Sequence, residues 1–249
     1  MNPDQSPADE MPLIAHLIEL RARLVRMLTA LAVVFIALIF FRNDIYNFVA
    51  APLSGVLPQG SHIIATDVTA PFVAPFKLTF FAAVFAVVPY WLMQIWGFIA
   101  PALYTREKQV AIPLLVASVL LFYTGVAFVY YITLTPVLHF FVSSGPQSVA
   151  VMADINLYLD FVLKLALVFG FTFEIPVGVF LLIWSGLMSS AYLADKRRYV
   201  IVICFGVAMF ITPPDMFSMA VVGTLMCLLF EAGLFFGGVM EKRRAIERG

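Results

Sequence analysis

Long runs of apolar residues constrain this chain more than any other feature of its sequence. A helix needs about 20 apolar residues to cross a hydrocarbon core about 30 Å thick. Six candidate runs lie at residues 24–41, 72–96, 110–134, 157–184, 199–211 and 217–236. The chain is 63% hydrophobic and only 12% charged, whereas about 25% of the residues in a typical soluble domain are charged. We therefore predict an all-α polytopic membrane protein with six transmembrane helices, the fifth and sixth of them short.

The basic residues indicate the orientation of these spans, because Lys and Arg concentrate on the cytoplasmic side. With six spans and both termini inside, 12 of the 15 basic residues fall on the inner side. The other three are Arg42, Lys77 and Lys164. We therefore predict that both termini are cytoplasmic.

We expect residues 1–249 to form a single integral-membrane domain. It would consist of a cytoplasmic amphipathic segment at 1–23, a six-helix core at 24–236 and a basic cytoplasmic tail at 237–249. The first segment is acidic where a signal peptide would be basic, so we expect it to be retained. The outer segments 42–71 and 135–156 contain several Pro and Gly residues, which predict folded loops with short helical turns.

Signatures of catalysis and of cofactor binding are scarce. The sequence contains no P-loop, no H-E-x-x-H and no C-x-x-C motif, and its three histidines lie far apart. The net charge is zero, which gives no argument for a nucleic-acid partner. We expect a protein that is not an enzyme and needs no metal or cofactor.

Two glutamates lie near the predicted cytoplasmic surface. Glu19 belongs to an amphipathic segment with leucines at helical spacing, and Glu107 lies in the loop after the second span. Arginine binds carboxylates through two parallel hydrogen bonds, which lysine cannot reproduce. Two carboxylates on one surface could therefore select an Arg-Arg pair. The simpler interpretations stay open: Glu19 pairs with Arg23 one turn away, and Glu107 is a solvated surface residue.

Glu174 lies inside the fourth predicted span. A charged side chain at the centre of a bilayer costs about 2.5–3.5 kcal/mol on insertion scales, so we expect it to face the bundle interior, a wet cavity or a partner helix. Pro176 cannot donate a hydrogen bond to the carbonyl of Thr172, which predicts a kink. Glu174 has either a functional role or a buried hydrogen-bond partner that the sequence does not reveal.

Short motifs along the chain resemble those of the TatC family. They are His16-Leu17-x-Glu19-Leu20-Arg21, Asp44-Ile45-Tyr46, Ala51-Pro52-Leu53, Ala65-Thr66-Asp67, Phe98-x-x-Pro101-x-Leu103-Tyr104-x-x-Glu107, Phe173-Glu174-x-Pro176 and Thr212-Pro213-Pro214-Asp215. They occur in the family's order, from about residue 12 to residue 240. Each fragment is short, but the combination is highly specific.

The resemblance implies the signal-receptor subunit of a twin-arginine protein translocase, in the inner membrane of a bacterium. TatC proteins bind signal peptides with paired arginines on folded cargo. They recruit single-span partners of the TatA and TatB types, and the proton-motive force drives export. Self-association in a larger complex is also implied.

The resemblance implies roles for individual residues as well. Signal-peptide binding would involve Glu19, Arg21, Phe98, Tyr104 and Glu107. Contacts with partners in the membrane, and transport itself, would involve Pro52, Glu174, Thr212 and Asp215.

The main alternative is a proton-coupled small-solute transporter that uses Glu174. Transporters often contain paired repeats with broken helices, and the sequence shows no internal repeat. An intramembrane enzyme would need a nucleophile with a base, or a metal constellation, and neither stands out. A purely structural scaffold would leave Glu174 and the acidic loop without a role.

Overall fold

The computed structural model describes residues 7–58, 63–99, 108–144, 152–212 and 216–248, and most of them are helical. The helices are α1 (Pro7–Leu38), α2 (Arg42–Val56), α3 (Ala70–Ile99), α4 (Lys108–Phe128), α5 (Leu134–Ser143), α6 (Ile155–Thr172), α7 (Ile175–Trp184), α8 (Ser190–Asp195), α9 (Arg197–Ile211) and α10 (Met216–Arg248). A 3-10 turn, Ile39–Phe41, joins α1 to α2, and a π-helical segment, Val129–Thr133, joins α4 to α5. Two short strands, β1 (Ile63–Ile64) and β2 (Ala153–Asp154), pair in parallel.

Five stretches of the described residues are long and apolar enough to cross a membrane. They are Leu17–Val56, Ala70–Phe98, Ile112–Ser143, Ile155–Trp184 and Ser218–Arg244. The all-α membrane fold is therefore confirmed. Helix α9 has 15 residues, about 22 Å of helix at 1.5 Å per residue. Its crossing as a fifth span stays a prediction, and so does the cytoplasmic position of both termini.

Two expectations about helix length are wrong. The sequence predicts a short sixth span, but α10 has 33 residues. Its apolar part continues into a charged segment, 241–248, whose Glu, Lys, Arg and Ala residues are good helix formers. The segment 42–56, predicted as part of a folded loop with short helical turns, is a single 15-residue helix, α2.

The chain divides into two compact units, Met1–Phe48 with Pro75–Leu115, and Val49–Ala74 with Val116–Gly249. In the second unit, the core surrounds Phe169, which is fully buried. Helices α4 and α6 approach closely beside it, because a Cβ on Gly125 would lie only 2.6 Å from the carbonyl oxygen of Phe169. A Cβ on Gly170 would likewise collide with the ring of Phe122.

A single carboxylate organises the short sheet in the second unit. Oδ1 of Asp154 accepts hydrogen bonds from the backbone N–H groups of Asn156 and Leu157, at 2.8 and 3.0 Å, and so caps α6. Oδ2 accepts from the hydroxyl and the N–H of Thr66, at 2.6 and 3.0 Å. The Thr66 hydroxyl, followed by the backbone donors, lowers the pKa of Asp154 to about 2, because these bonds favour the charged form.

Candidate functional site

An arginine network joins α1 to the end of α3 in the first unit. Arg23 donates from Nε and Nη2 to Oε1 of Glu19, at 2.9 and 2.7 Å. Its Nη1 donates to the backbone carbonyl and the side-chain oxygen of Gln94, at 3.0 and 3.2 Å. Nη2 also donates to the carbonyl of Gly97, at 2.9 Å. One guanidinium thus connects the Glu19 carboxylate to two carbonyl groups in the last turns of α3.

Gly97 makes this close approach possible. A Cβ at residue 97 would lie 2.7 Å from Nη1 of Arg23, well inside van der Waals contact. The carbonyl groups at a helix C-terminus carry a partial negative charge, which stabilises a nearby cation. Arg23 is therefore balanced by the Glu19 carboxylate on one side and by the end of α3 on the other.

Two further contacts align α1 with α3. Nε1 of Trp91 donates to the carbonyl of Met27 at 3.1 Å. The rings of Phe35 and Phe80 meet edge to face, with their centroids 5.9 Å apart. These contacts fix the rotation of α1 and thereby the direction in which Glu19 projects.

Glu19 is the predicted site residue that the network orients. Its side chain is 43% exposed, whereas that of Arg23 is 20% exposed. Oε1 accepts both bonds from Arg23, and among the described residues Oε2 has no hydrogen-bond partner. The pairing that the sequence left open as a simpler interpretation is therefore present. It leaves one carboxylate oxygen available to a second donor.

The other residues predicted for signal binding are only partly described. Phe98 directly follows Gly97 and is half-buried, and Arg21 is exposed. Tyr104 and Glu107 lie outside the described residues. Proximity between Glu19 and Glu107 therefore stays a prediction.

Sequence reasoning missed Gln94 and Gly97 as members of this site. A signal was available, because Gln94 is a polar residue near the end of an apolar run and Gly97 follows it at i+3. Residues three apart share one helix face. Nothing in the sequence, however, indicates that this face meets Arg23, which is 71 residues away from Gln94.

Glu174 occupies the break between α6 and α7, inside the fourth candidate span. Helix α6 ends at Thr172 and α7 begins at Ile175, so the kink predicted from Pro176 is confirmed. The buried hydroxyl of Ser118 donates to the carboxyl group. Oε1 of Glu174 is buried and has no hydrogen-bond partner among the described residues.

The remaining predicted positions lie in separate parts of the second unit. Pro52 lies inside α2 and is half-buried. Thr212 is 5% exposed at the end of α9, where its hydroxyl donates to the carbonyl of Ala208 at 2.9 Å. Asp215 lies outside the described residues.

The fold and the site define a class, a polytopic helical membrane protein that holds one carboxylate at the end of a helix pair and another inside a span. Among the described residues, no group of three or more His, Cys, Asp or Glu could hold a metal ion. The family model for the Sec-independent protein translocase protein (TatC) matches residues 15–224. The chain belongs to the TatC family.

Individual comparisons agree with this membership. The chain is 52% identical to the Sec-independent protein translocase protein TatC of Azotobacter chroococcum, over 94% of this chain and 92% of that protein. Identity with the Haemophilus influenzae protein of the same name is 51%, over 91% and 88%. A crystal structure of the twin-arginine translocase receptor TatC has a TM-score of 0.79 at 33% identity, and the match covers 90% of this chain and 98% of that one.

Membership confirms several predictions made from the sequence. The chain is a component of a protein translocase, it is not an enzyme, and it works in a complex with other Tat components. The predicted inner-membrane localisation agrees with the family and with the candidate membrane spans. The comparisons give no support to a small-solute transporter.

Proposed function

We propose that this protein binds twin-arginine signal peptides at the end of the α1–α3 pair. The observation that carries the proposal is the Glu19 carboxylate, which Arg23 holds through one oxygen while the other has no described partner. A fixed carboxylate oxygen binds an incoming guanidinium without the loss of side-chain freedom that a mobile glutamate would incur.

Arg23 does not cancel the attraction for a second cation. Its charge is shared between Glu19 and the carbonyl groups of Gln94 and Gly97. These carbonyls belong to the negative end of α3, which also favours a bound cation. Glu107 supplies the second carboxylate in this proposal. Phe98 and Tyr104 shape the site, and Arg21 borders it.

The membrane part of the proposal concerns partners and export. Glu174, with one buried oxygen unpaired among the described residues, is suited to a polar contact with a single-span helix of the TatA or TatB type. Pro52, Thr212 and Asp215 contribute to the same docking region. Export is driven by the proton-motive force, and the protein self-associates in a larger complex.

The proposal includes a six-span topology with both termini in the cytoplasm and a single integral-membrane domain. The distribution of the 15 basic residues supports it. In this arrangement α9 is the fifth span, and local thinning of the bilayer accommodates its 15 residues.

The test is peptide binding to the purified protein in detergent. An Arg-Arg signal peptide is compared with its Lys-Lys variant on the wild type and on Glu19→Gln and Glu107→Gln. Asp195→Asn serves as the control, because it removes an exposed carboxylate far from the site in sequence. We expect an Arg-Arg preference that both glutamine variants abolish and the control retains. Equal binding of the two peptides, unchanged by the variants, would refute the proposal.

A further inference from the structure

A groove in the second unit combines basic and apolar walls. It has a volume of about 380 Å³ and lies between α8 and α10. Arg197 and Glu231 line it at one end, and Leu234, Phe235 and then Lys242 follow along α10. Neither the proposed signal site nor the docking region uses these residues.

Two polar interactions hold together the helices that line the groove. Arg197 donates from Nε and Nη2 to the two oxygens of Glu231, at 2.7 and 2.8 Å. The backbone N–H of Ser190, at the start of α8, donates to Oε2 of Glu241 at 3.0 Å. The groove is therefore held by contacts within the unit.

A third interaction, near the groove, holds the C-terminal end of α7 in place. Arg244 donates to the carbonyl of Trp184 at 2.7 Å and stacks over its ring at 4.9 Å. These contacts hold the end of α7 against the C-terminal part of α10.

Basic side chains in the groove have N–H groups available to bind an anion. Among the described residues Lys242 has no hydrogen-bond or ion-pair partner, and its side chain is exposed. Arg197 uses two of its five N–H groups on Glu231. The bordering segments, 190–198 and 231–244, contain six basic and three acidic residues. Glu231 opposes an anion, but its charge is already neutralised by Arg197.

The Lys242 end of the groove lies beside the end of the last candidate span. Lys242 lies two residues before Arg244, the end of the last candidate span. Tyr192 and Tyr199 are exposed nearby, and the ammonium of Lys196 lies 5.5 and 5.8 Å from their ring centroids. Aromatic rings beside basic side chains are typical of the headgroup level.

The apolar side chains that precede Lys242 on α10 are exposed. Phe235 is 67% exposed and Val239 is 40% exposed, and both line the groove. An anion in solution would gain nothing from these side chains, whereas an acyl chain would cover them. The combination of a phosphate-binding end and an apolar wall matches a phospholipid.

We propose that this groove binds an anionic phospholipid of the membrane leaflet on the side of α8. Lys242 contacts the headgroup phosphate, and Leu234, Phe235 and Val239, which precede it on α10, contact an acyl chain. The predicted topology makes this the cytoplasmic leaflet. The proposal does not depend on signal-peptide binding.

The test uses the purified full-length protein and native mass spectrometry of lipid titrations. The probes are phosphatidylglycerol, zwitterionic phosphatidylcholine, and soluble glycerophosphoglycerol with inorganic phosphate as competitors. We expect preferential binding of phosphatidylglycerol that the soluble phosphates do not displace. Lys242→Gln should lower its affinity about fivefold, the usual contribution of one basic residue near an anionic surface.

Two further variants distinguish lipid binding in this groove from a general electrostatic effect and from misfolding. Arg243→Gln removes the same charge from the adjacent residue, which does not line the groove, and should change the affinity little. Glu231→Gln should also change the affinity little, because Glu231 lies 11 residues before Lys242 on α10, about 16 Å along the helix. Equal losses in Lys242→Gln and Arg243→Gln, an equal loss in Glu231→Gln, displacement by soluble phosphate, or no preference over phosphatidylcholine would each overturn the proposal.

Discussion

Replacing Gly97 by alanine should detach Arg23 from the end of α3. The new Cβ would lie 2.7 Å from Nη1, and ordinary contact begins at 3.4 Å. The guanidinium must therefore retreat by about 0.7 Å, beyond the reach of hydrogen bonds now at 3.0 and 3.2 Å to Gln94. Because the group in collision is the end of a flexible side chain, the backbone need not move.

The magnitude follows from the bonds that are lost. A hydrogen bond to a charged group contributes about 1.5–3 kcal/mol, and water replaces part of it in a partly exposed network. We take a net loss of about 1.5 kcal/mol, which corresponds to about tenfold in an equilibrium constant. Alanine is a better helix former than glycine by up to about 1 kcal/mol, which offsets the loss in folding stability. Thermal unfolding should change little, whereas affinity for the Arg-Arg peptide should fall about tenfold, because the Arg23–Glu19 pair is no longer anchored to the end of α3.

The assay is peptide binding in detergent, arranged as a double-mutant cycle with Arg23→Ala. In that background Gly97→Ala should have no effect, because no guanidinium remains to be displaced. Gly55→Ala is the matched control, since a Cβ there meets nothing within 4 Å. If Gly97→Ala weakened binding equally in both backgrounds, Arg23 would not be the group through which Gly97 acts.

Three other substitutions test separate parts of the structure. Glu174→Ala should leave Arg-Arg peptide binding unchanged in detergent and impair export in cells, because its carboxyl lies inside a span and not at the signal site. Asp154→Asn should lower thermal stability at neutral pH. It should also remove the part of the wild-type pH dependence that appears as the pH falls from 3.8 towards about 2, since a carboxylate with a lowered pKa stabilises the fold only while it is charged. Gly125→Ala should destabilise by about 1–3 kcal/mol through overpacking, because its Cβ would meet the backbone carbonyl of Phe169, whereas Gly178→Ala, with nothing within 4 Å, should not. Loss of peptide binding in the first variant, an unchanged acid-unfolding profile in the second, or equal melting temperatures in the two glycine variants would contradict these interpretations.

The contrast between Glu19 and Glu174 shows how environment separates two carboxylates of one chain. Glu19 is partly exposed and shares a guanidinium with backbone carbonyls. Glu174 has a neutral hydroxyl donor and one buried oxygen without a described partner. The first arrangement suits a side chain that binds a cation. The second favours a group that gains most from a polar contact supplied by another helix.

Much of the fold could be predicted from the sequence, because a bilayer leaves little choice. Backbone polar groups must be satisfied within each span, so an apolar run of sufficient length becomes a helix. The kink at Pro176 was equally predictable, since a missing N–H acts locally. Residue patterns also indicated Glu19 and Glu174 as carboxylates that need a binding partner or a function.

Tertiary structure decided what those groups contact. Arg23 meets carbonyls 71 and 74 residues away, and Asp154 meets Thr66 across 88 residues. The packing of separate elements selects these partners, helped for Arg23 by the close approach at Gly97, and a local pattern encodes neither. The sequence alone determined that the chain forms membrane helices and which charged residues need partners, because both follow from local chemistry. Only packing determined which partners they have, because that depends on how separate helices face each other.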